Sequence, residues 1–183
     1  VSNCSATLPV TSLPSGSSVS CTVTATTPTT GNLSLSGTTS TTATDSNTAN
    51  DTASASVKVV DAIDDTAATL TRADTGTETY DLLTNDKIGA DQATTANVTP
   101  SITGITQNGA NFTDTSSWFT LNASGQLLVS KTATVGAYVV TYQICANPAT
   151  TLAACDTATK TITVSAAALP DLTLAKTHTG NFT

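Results

Sequence analysis

Short runs of alternation recur along this chain. Val19, Cys21, Val23 and Ala25 alternate with Ser and Thr, Leu33 and Leu35 follow a break at Pro28 and Gly31, and Ala53, Ala55, Val57 and Val59 form a third run. Tyr138, Val140, Tyr142 and Ile144 share one face of a longer run, while Ile162 and Val164 share a face of the next. A period of two places such residues on one side of a strand. Turn-forming stretches separate the runs, TDSNTANDTAS at residues 44–54 among them. No segment sustains a 3.6-residue apolar period, so the predicted class is all-β. The abundance of Thr and Val agrees, because a branched Cβ suits a pleated surface better than a helix.

The runs divide the chain into three parts. Residues 1–60 hold only about three or four strands, too few to close a sandwich alone. This part reads as a β-sandwich lacking its first strand. Residues 61–168 offer the bulkiest core candidates: Trp118, Phe119, Leu121, Leu127, Leu128 and Val129. Aromatic residues make up only 4% of the chain, so the single Trp118 is assigned to the core. Roughly seven short strands, with turn signals about every eight to twelve residues, fit an immunoglobulin-like sandwich. The expected architecture is two such domains in series. Residues 169–183, LPDLTLAKTHTGNFT, alternate Leu172 and Leu174 with polar neighbours, turn at His178–Gly180 and resume at Phe182. They read as a C-terminal strand that completes a neighbouring domain.

Charge and cysteine content narrow the setting. A net charge of −7 with six Lys and Arg cannot line a phosphate-tracking groove, so nucleic acid is not an expected partner. No run of about eighteen apolar residues is present, so no membrane span is expected. The chain begins at Val1 without a leader pattern and reads as a processed or excised piece of a longer precursor. A hairpin through TYQICANPATTLAACDTATKTITV would bring Cys145 and Cys155 within the roughly 7 Å that a bridge requires. Cys4 and Cys21 can likewise clip the N-terminal segment onto the SSVSCTVTAT strand, and two local pairs are the simplest connectivity. A four-cysteine zinc site lacks close CxxC spacing. Disulfides imply an oxidising, extracellular or cell-surface location.

Two stretches carry a resemblance. CTVTATTPTTGNLSLSGTTSTTATDSNTANDTASASVKV resembles the C-terminal half of a DUF11-type repeat, with Asp45, Asn47, Asn50, Asp51, Thr52 and Ala53 at its D-x-N-x-x-N-D-T-A positions. LPDLTLAKTHTGNFT resembles the opening strand of the same family, here displaced to the far end of the chain. DLLTND and the cysteine hairpin are similar to Ig-like or cadherin-like repeats of large bacterial surface proteins. The resemblance implies a tandem-repeat or subunit role in a bacterial surface fibre or adhesin. Joined head to tail, GNFT runs into VSNCSATLPV as one strand-like segment. A neighbour's tail would then supply the missing first strand, by donor-strand exchange between subunits or along a continuous repeat chain.

Other candidate sites are few. Asp61, Asp64 and Asp65 at the domain junction, with Asp86 in TND, are hard oxygen ligands that Ca²⁺ could use to stiffen the joint, although no EF-hand loop is present. The alternative is a solvated acidic linker. DSNTANDT, Asp45 to Thr52, reads as a turn with Asx side chains capping backbone groups. Asn-x-Ser/Thr triplets at Asn32, Asn111 and Asn122, and also at Asn3, Asn50, Asn97 and Asn181, are formal glycosylation acceptors. Lys58, Lys160 and Lys176 raise the question of a Lys–Asn crosslink, which would need a buried carboxylate. His178 is the single histidine and Glu78 the single glutamate, and no catalytic motif accompanies them. The chain is read as non-enzymatic, with no cofactor beyond Ca²⁺ at most. Its expected partners are copies of itself, head to tail. The rival reading is an adhesin module whose loop Ile105–Phe119, with Trp118, meets a host or abiotic surface.

Overall fold

The computed structural model describes residues 2–6, 8–26, 28–147 and 155–168. The chain is all-β, with one single-turn 3-10 helix at Thr48–Asn50 among the described residues. Strands β1 (Ser2–Cys4) and β2 (Cys21–Val23) pair antiparallel as a two-stranded ribbon, with Cys4 opposite Cys21. Strands β3 (Asn32–Thr38) and β4 (Thr52–Lys58) form a second ribbon. Its register opposes Leu33 to Val57, Leu35 to Ala55 and Gly37 to Ala53. Opposed residues share a face, so every apolar side chain of this ribbon lies on one side and Ser, Thr, Asn32 and Lys58 lie on the other. Among the described residues, none before Val60 belongs to the buried hydrophobic cluster.

The remaining strands build a layered body. They are β5 (Val60–Asp61), β6 (Ala68–Thr71), β7 (Thr77–Asp81), β8 (Lys87–Ile88), β9 (Asp91–Gln92), β10 (Val98–Gln107), β11 (Ala110–Asn111), β12 (Phe119–Leu121), β13 (Gln126–Ser130), β14 (Gly136–Ala146) and β15 (Cys155–Ser165). One sheet runs β11-β10-β14-β15-β6, a second β12-β13-β7, and a small third β5-β8-β9. Tyr138, Val140, Tyr142 and Ile144 are fully buried along β14. Their register partners on β15 include Ala158, Lys160 and Ile162, all buried as well. The second sheet answers with Phe119, Leu127 and Val129. The Phe119 and Tyr138 rings lie 4.8 Å apart and tie the two layers together.

Two features depart from simple alternation. The register of β10 against β14 shifts between Ile102 and Gly104, and the bulged Thr103 donates its hydroxyl to the Thr141 carbonyl at 3.3 Å. The bulge moves the inward set from Val98, Pro100 and Ile102 to Ile105 and Gln107. Trp118 corrects an expectation: it is half-buried at the margin of the core, stacked on Phe112 at 5.9 Å. Its neighbour Phe119, the first residue of β12, takes the buried position against Tyr138. The large core volumes come from Tyr138 and Tyr142 instead.

The β3–β4 ribbon is seated at one end of the body. Val59 donates its N–H to the Gly31 carbonyl at 3.0 Å, Gly89 donates to Val59 at 2.8 Å, and Lys58 pairs with Asp91. Gly89 has φ +65, and a Cβ there would collide with the Asn32 side chain, so glycine permits the close approach. Ile162→Ala should lower the body's stability by about 2–5 kcal/mol, through lost burial and an unfilled cavity. Leu35→Ala, on the exposed ribbon face, should change it by no more than about 0.5 kcal/mol. Denaturant melts of the two variants compare these outcomes directly.

Candidate functional site

The chemically distinctive place in the body surrounds the Tyr142 hydroxyl. Strand β14 carries this ring through the core, so its polar end meets the segment that follows β5 and the loop between β7 and β8. Four oxygens surround Oη: Leu82 O at 3.1 Å, and Ile63 O, Asp86 Oδ1 and Asp86 Oδ2 at 3.3 Å each. A tyrosine hydroxyl has one proton to donate. Asp86 is completely buried, and its Oδ1 also accepts the Ile63 N–H at 2.7 Å. Asn85 spends its Nδ2 protons on Ile63 O at 2.8 Å and Asp64 O at 3.1 Å. Asp65 Oδ2 and Asn85 Oδ1 are buried without a hydrogen-bond partner among the described residues. Acceptors outnumber donors in this cluster.

That imbalance acts on the carboxyls. Burial raises Asp86 to about 6, against the opposing hydrogen bonds from Ile63 and Tyr142, and the charges of Asp65 and Asp61 push it further up. Asp65 also rises to about 6, chiefly through burial, with Asp81 and Asp64 adding to the rise and Lys160 and Tyr142 opposing it. Tyr142 is pushed up by burial and then by the charges of Asp86 and Asp65. Lys160 is itself buried, with its Nζ 5.4 Å from the centre of the Tyr80 ring. A proton held on Asp86 or Asp65 supplies a donor that the cluster lacks.

The four acidic residues singled out by sequence take different positions. Asp64 Oδ1 accepts the Thr159 N–H at 2.8 Å and the Thr159 hydroxyl at 2.9 Å, stitching the segment after β5 onto β15. Asp156 Oδ2 assists by accepting the Ala62 N–H at 2.9 Å. Asp86 and Asp65 approach Tyr142, and Asp61 lies half-buried in β5. Among the described residues no three or more His, Cys, Asp or Glu side chains gather as a metal-holding group. The expected Ca²⁺ set is therefore not assembled. These carboxylates accept backbone and hydroxyl protons, which is how a carboxylate satisfies its lone pairs inside a small domain.

The other sequence candidates are dispersed. Disulfides join Cys4 to Cys21 and Cys145 to Cys155. Asn32 and Asn111 are exposed at strand positions, whereas Asn122 organises a turn, donating to Gln126 Oε1 at 2.9 Å and accepting the Ser124 and Gln126 N–H groups. Asp45 Oδ1 accepts the Asn47 N–H at 2.8 Å, an Asx turn. Glu78 pairs with Lys131 at 2.6 Å. Leu172, Leu174, Phe182, His178, Lys176 and Asn181 lie outside the described residues, as does the rest of the 169–183 segment. No helix among the described residues is long and apolar enough to cross a membrane. Comparison with known proteins matched no family model, no curated protein and no solved structure.

Sequence reasoning missed Tyr142, Asn85 and Lys160 as members of the cluster. Tyr142 registered only as a core position, and a charged side chain gives no sequence signal that it will be buried. Asp86 and Asp65 bind protons in the folded chain between about pH 4 and 6 that the unfolded chain releases. Their contribution to stability is therefore complete below about pH 4 and lost as pH rises through about 6. On acidification from pH 7.5 to 5, the wild type should gain melting temperature relative to Asp86→Asn, which carries its own donor. Parallel melting curves for the two proteins would refute the assignment.

Proposed function

We propose that this chain is a structural unit of an extracellular bacterial filament or fibrous surface protein, assembled head to tail by β-strand complementation. One observation carries the reading: strands β1 to β4 form two ribbons, and none of the described residues before Val60 joins the buried core of the packed body beside them. A lone two-stranded ribbon is marginal in water and needs further strands to be stable. The exposed Leu8, Leu13, Val23 and Leu35 of this region are the side chains that such completion would cover. The alternating tail, Leu172 and Leu174, has the pattern of the missing strand. The two disulfides fit an oxidising, extracellular location. The resemblance to DUF11-type and Ig-like surface repeats points the same way, and implies a partial sandwich lacking its first strand, 1–60, and an Ig-like sandwich, 61–168, in each unit.

The rival is a ligand-binding module working through Ile105–Phe119. Its large side chains are engaged in packing, since Phe112 lies against both Trp118 and Tyr138. The structural role is therefore preferred. The oxidised 183-residue chain should form filaments by electron microscopy and grow in mass by light scattering, while the chain lacking residues 169–183 stays monomeric. A full chain that remains a folded monomer at high concentration would dismiss assembly by separate subunits.

A further inference from the structure

The ribbon β3–β4 has an unguarded edge. No strand among the described residues pairs with the outer side of β3. Within the ribbon, Val59 N–H bonds to Gly31 O and Thr39 N–H to Asp51 O, so the odd-numbered residues of β3 face β4 with their backbone groups. In an antiparallel pair the intervening residues then point theirs outward. On β3 these are Asn32, Ser34, Ser36 and Thr38. The strand NLSLSGT contains neither proline nor charge, the devices that usually protect an open edge. The same ribbon leaves Leu35 and its register partner Ala55 exposed, with Leu33 and Val57 only partly covered. Open backbone groups and an uncovered apolar face together specify an incoming strand of period two.

The identity of that strand follows from reach. The chain enters the body at β5, where the Ala62 N–H is bound to Asp156 near the start of β15. The base of the ribbon is held at this end by the Lys58–Asp91 pair and the Gly31–Val59–Gly89 hydrogen bonds. Strand β15 leaves the body at its opposite end, Ser165. From Asp156 to Ser165 a strand spans about 30 Å, at about 3.3 Å per residue. The chain between Ser165 and Asp171 covers at most about 22 Å when fully extended. A chain of that length from Ser165 does not reach the base of its own ribbon. A second copy suffers no such limit.

We propose that the outer edge of β3 is the acceptor for residues 171–176 of a second copy, with Leu172 and Leu174 joining Leu33, Leu35 and Val57 on one apolar face. The proposal rests on the head-to-tail reading and adds to it the acceptor edge and the donor segment. In the donor DLTLAK no proline interrupts the run; Leu172 and Leu174 share one face, which ends at Lys176, and Asp171, Thr173 and Ala175 share the other. Donor and acceptor are different segments, so the contact is heterologous, and unless its rotation closes a ring it propagates into an open filament.

Two substitutions in the full oxidised chain test this. Leu35→Asp spoils the acceptor face, and Leu174→Asp spoils the donor. Each variant alone should remain monomeric by light scattering, and an equimolar mixture should stop at heterodimers, because one usable tail meets one usable ribbon. A synthetic peptide of residues 169–183 should bind the Leu174→Asp chain in fluorescence anisotropy and bind the double variant at least tenfold more weakly. Thermal melts that match the wild-type body confirm that the exposed Leu35 site was altered without unfolding it. Filaments of Leu35→Asp as long as those of the wild type would overturn the acceptor assignment and leave the head-to-tail reading standing. A wild-type chain that never assembles would remove the acceptor assignment together with assembly by separate subunits.

Discussion

Ten consecutive cross-strand pairs between β14 and β15, from Gly136 opposite Val164 to Cys145 opposite Cys155, organise the molecule. The two longest neighbours in the sheet present one apolar face, and the rest of the body is arranged against it. Strand β10 pairs along the other edge of β14, and β6 adds in parallel to β15. The second sheet reaches this face through Phe119 against Tyr138. The Cys145–Cys155 bridge closes the far end of the pair, restricting the unfolded chain there. Tyr142 then extends the same strand's influence to the acidic cluster, because a tyrosine fills a core with its ring and must still find partners for its hydroxyl.

Stability is distributed unevenly as a result. From Val60 to Val164 the chain buries a continuous cluster, while the ribbons before it bury none of that cluster. Elements with few buried contacts lie at the low end of local stability, and such elements are suited to completion by a partner. The cluster around Asp86 serves the body, by tying the segment after β5 and the β7–β8 loop to β14.

Much of this was legible from alternation. The run Tyr138–Ile144 and its partner Ile162–Val164 announce two strands with one buried face each, and a short spacing between Cys145 and Cys155 favours their pairing in a hairpin. The ribbon was equally plain, since Leu33, Leu35, Ala53, Ala55 and Val57 alternate without interruption. Its lack of a core was foreshadowed by the small number of strands before residue 60. Trp118 was misplaced because scarcity of large residues says nothing about which of two adjacent positions faces inward.

The sequence by itself determined the period of two, the polarity of each strand face and the local cysteine pairs, because these depend on residues close together in the chain. Tertiary structure alone decided which faces meet. The bulge at Thr103 reverses the inward set of β10, and no local pattern marks it, since it arises from register against β14. The parallel pairing of β6 with β15 joins residues 94 positions apart. Asp86 reads locally as part of a polar turn, yet it lies buried beside Tyr142, 56 residues away. Its raised proton affinity is set by desolvation and by converging oxygens, quantities that exist only once distant strands have packed.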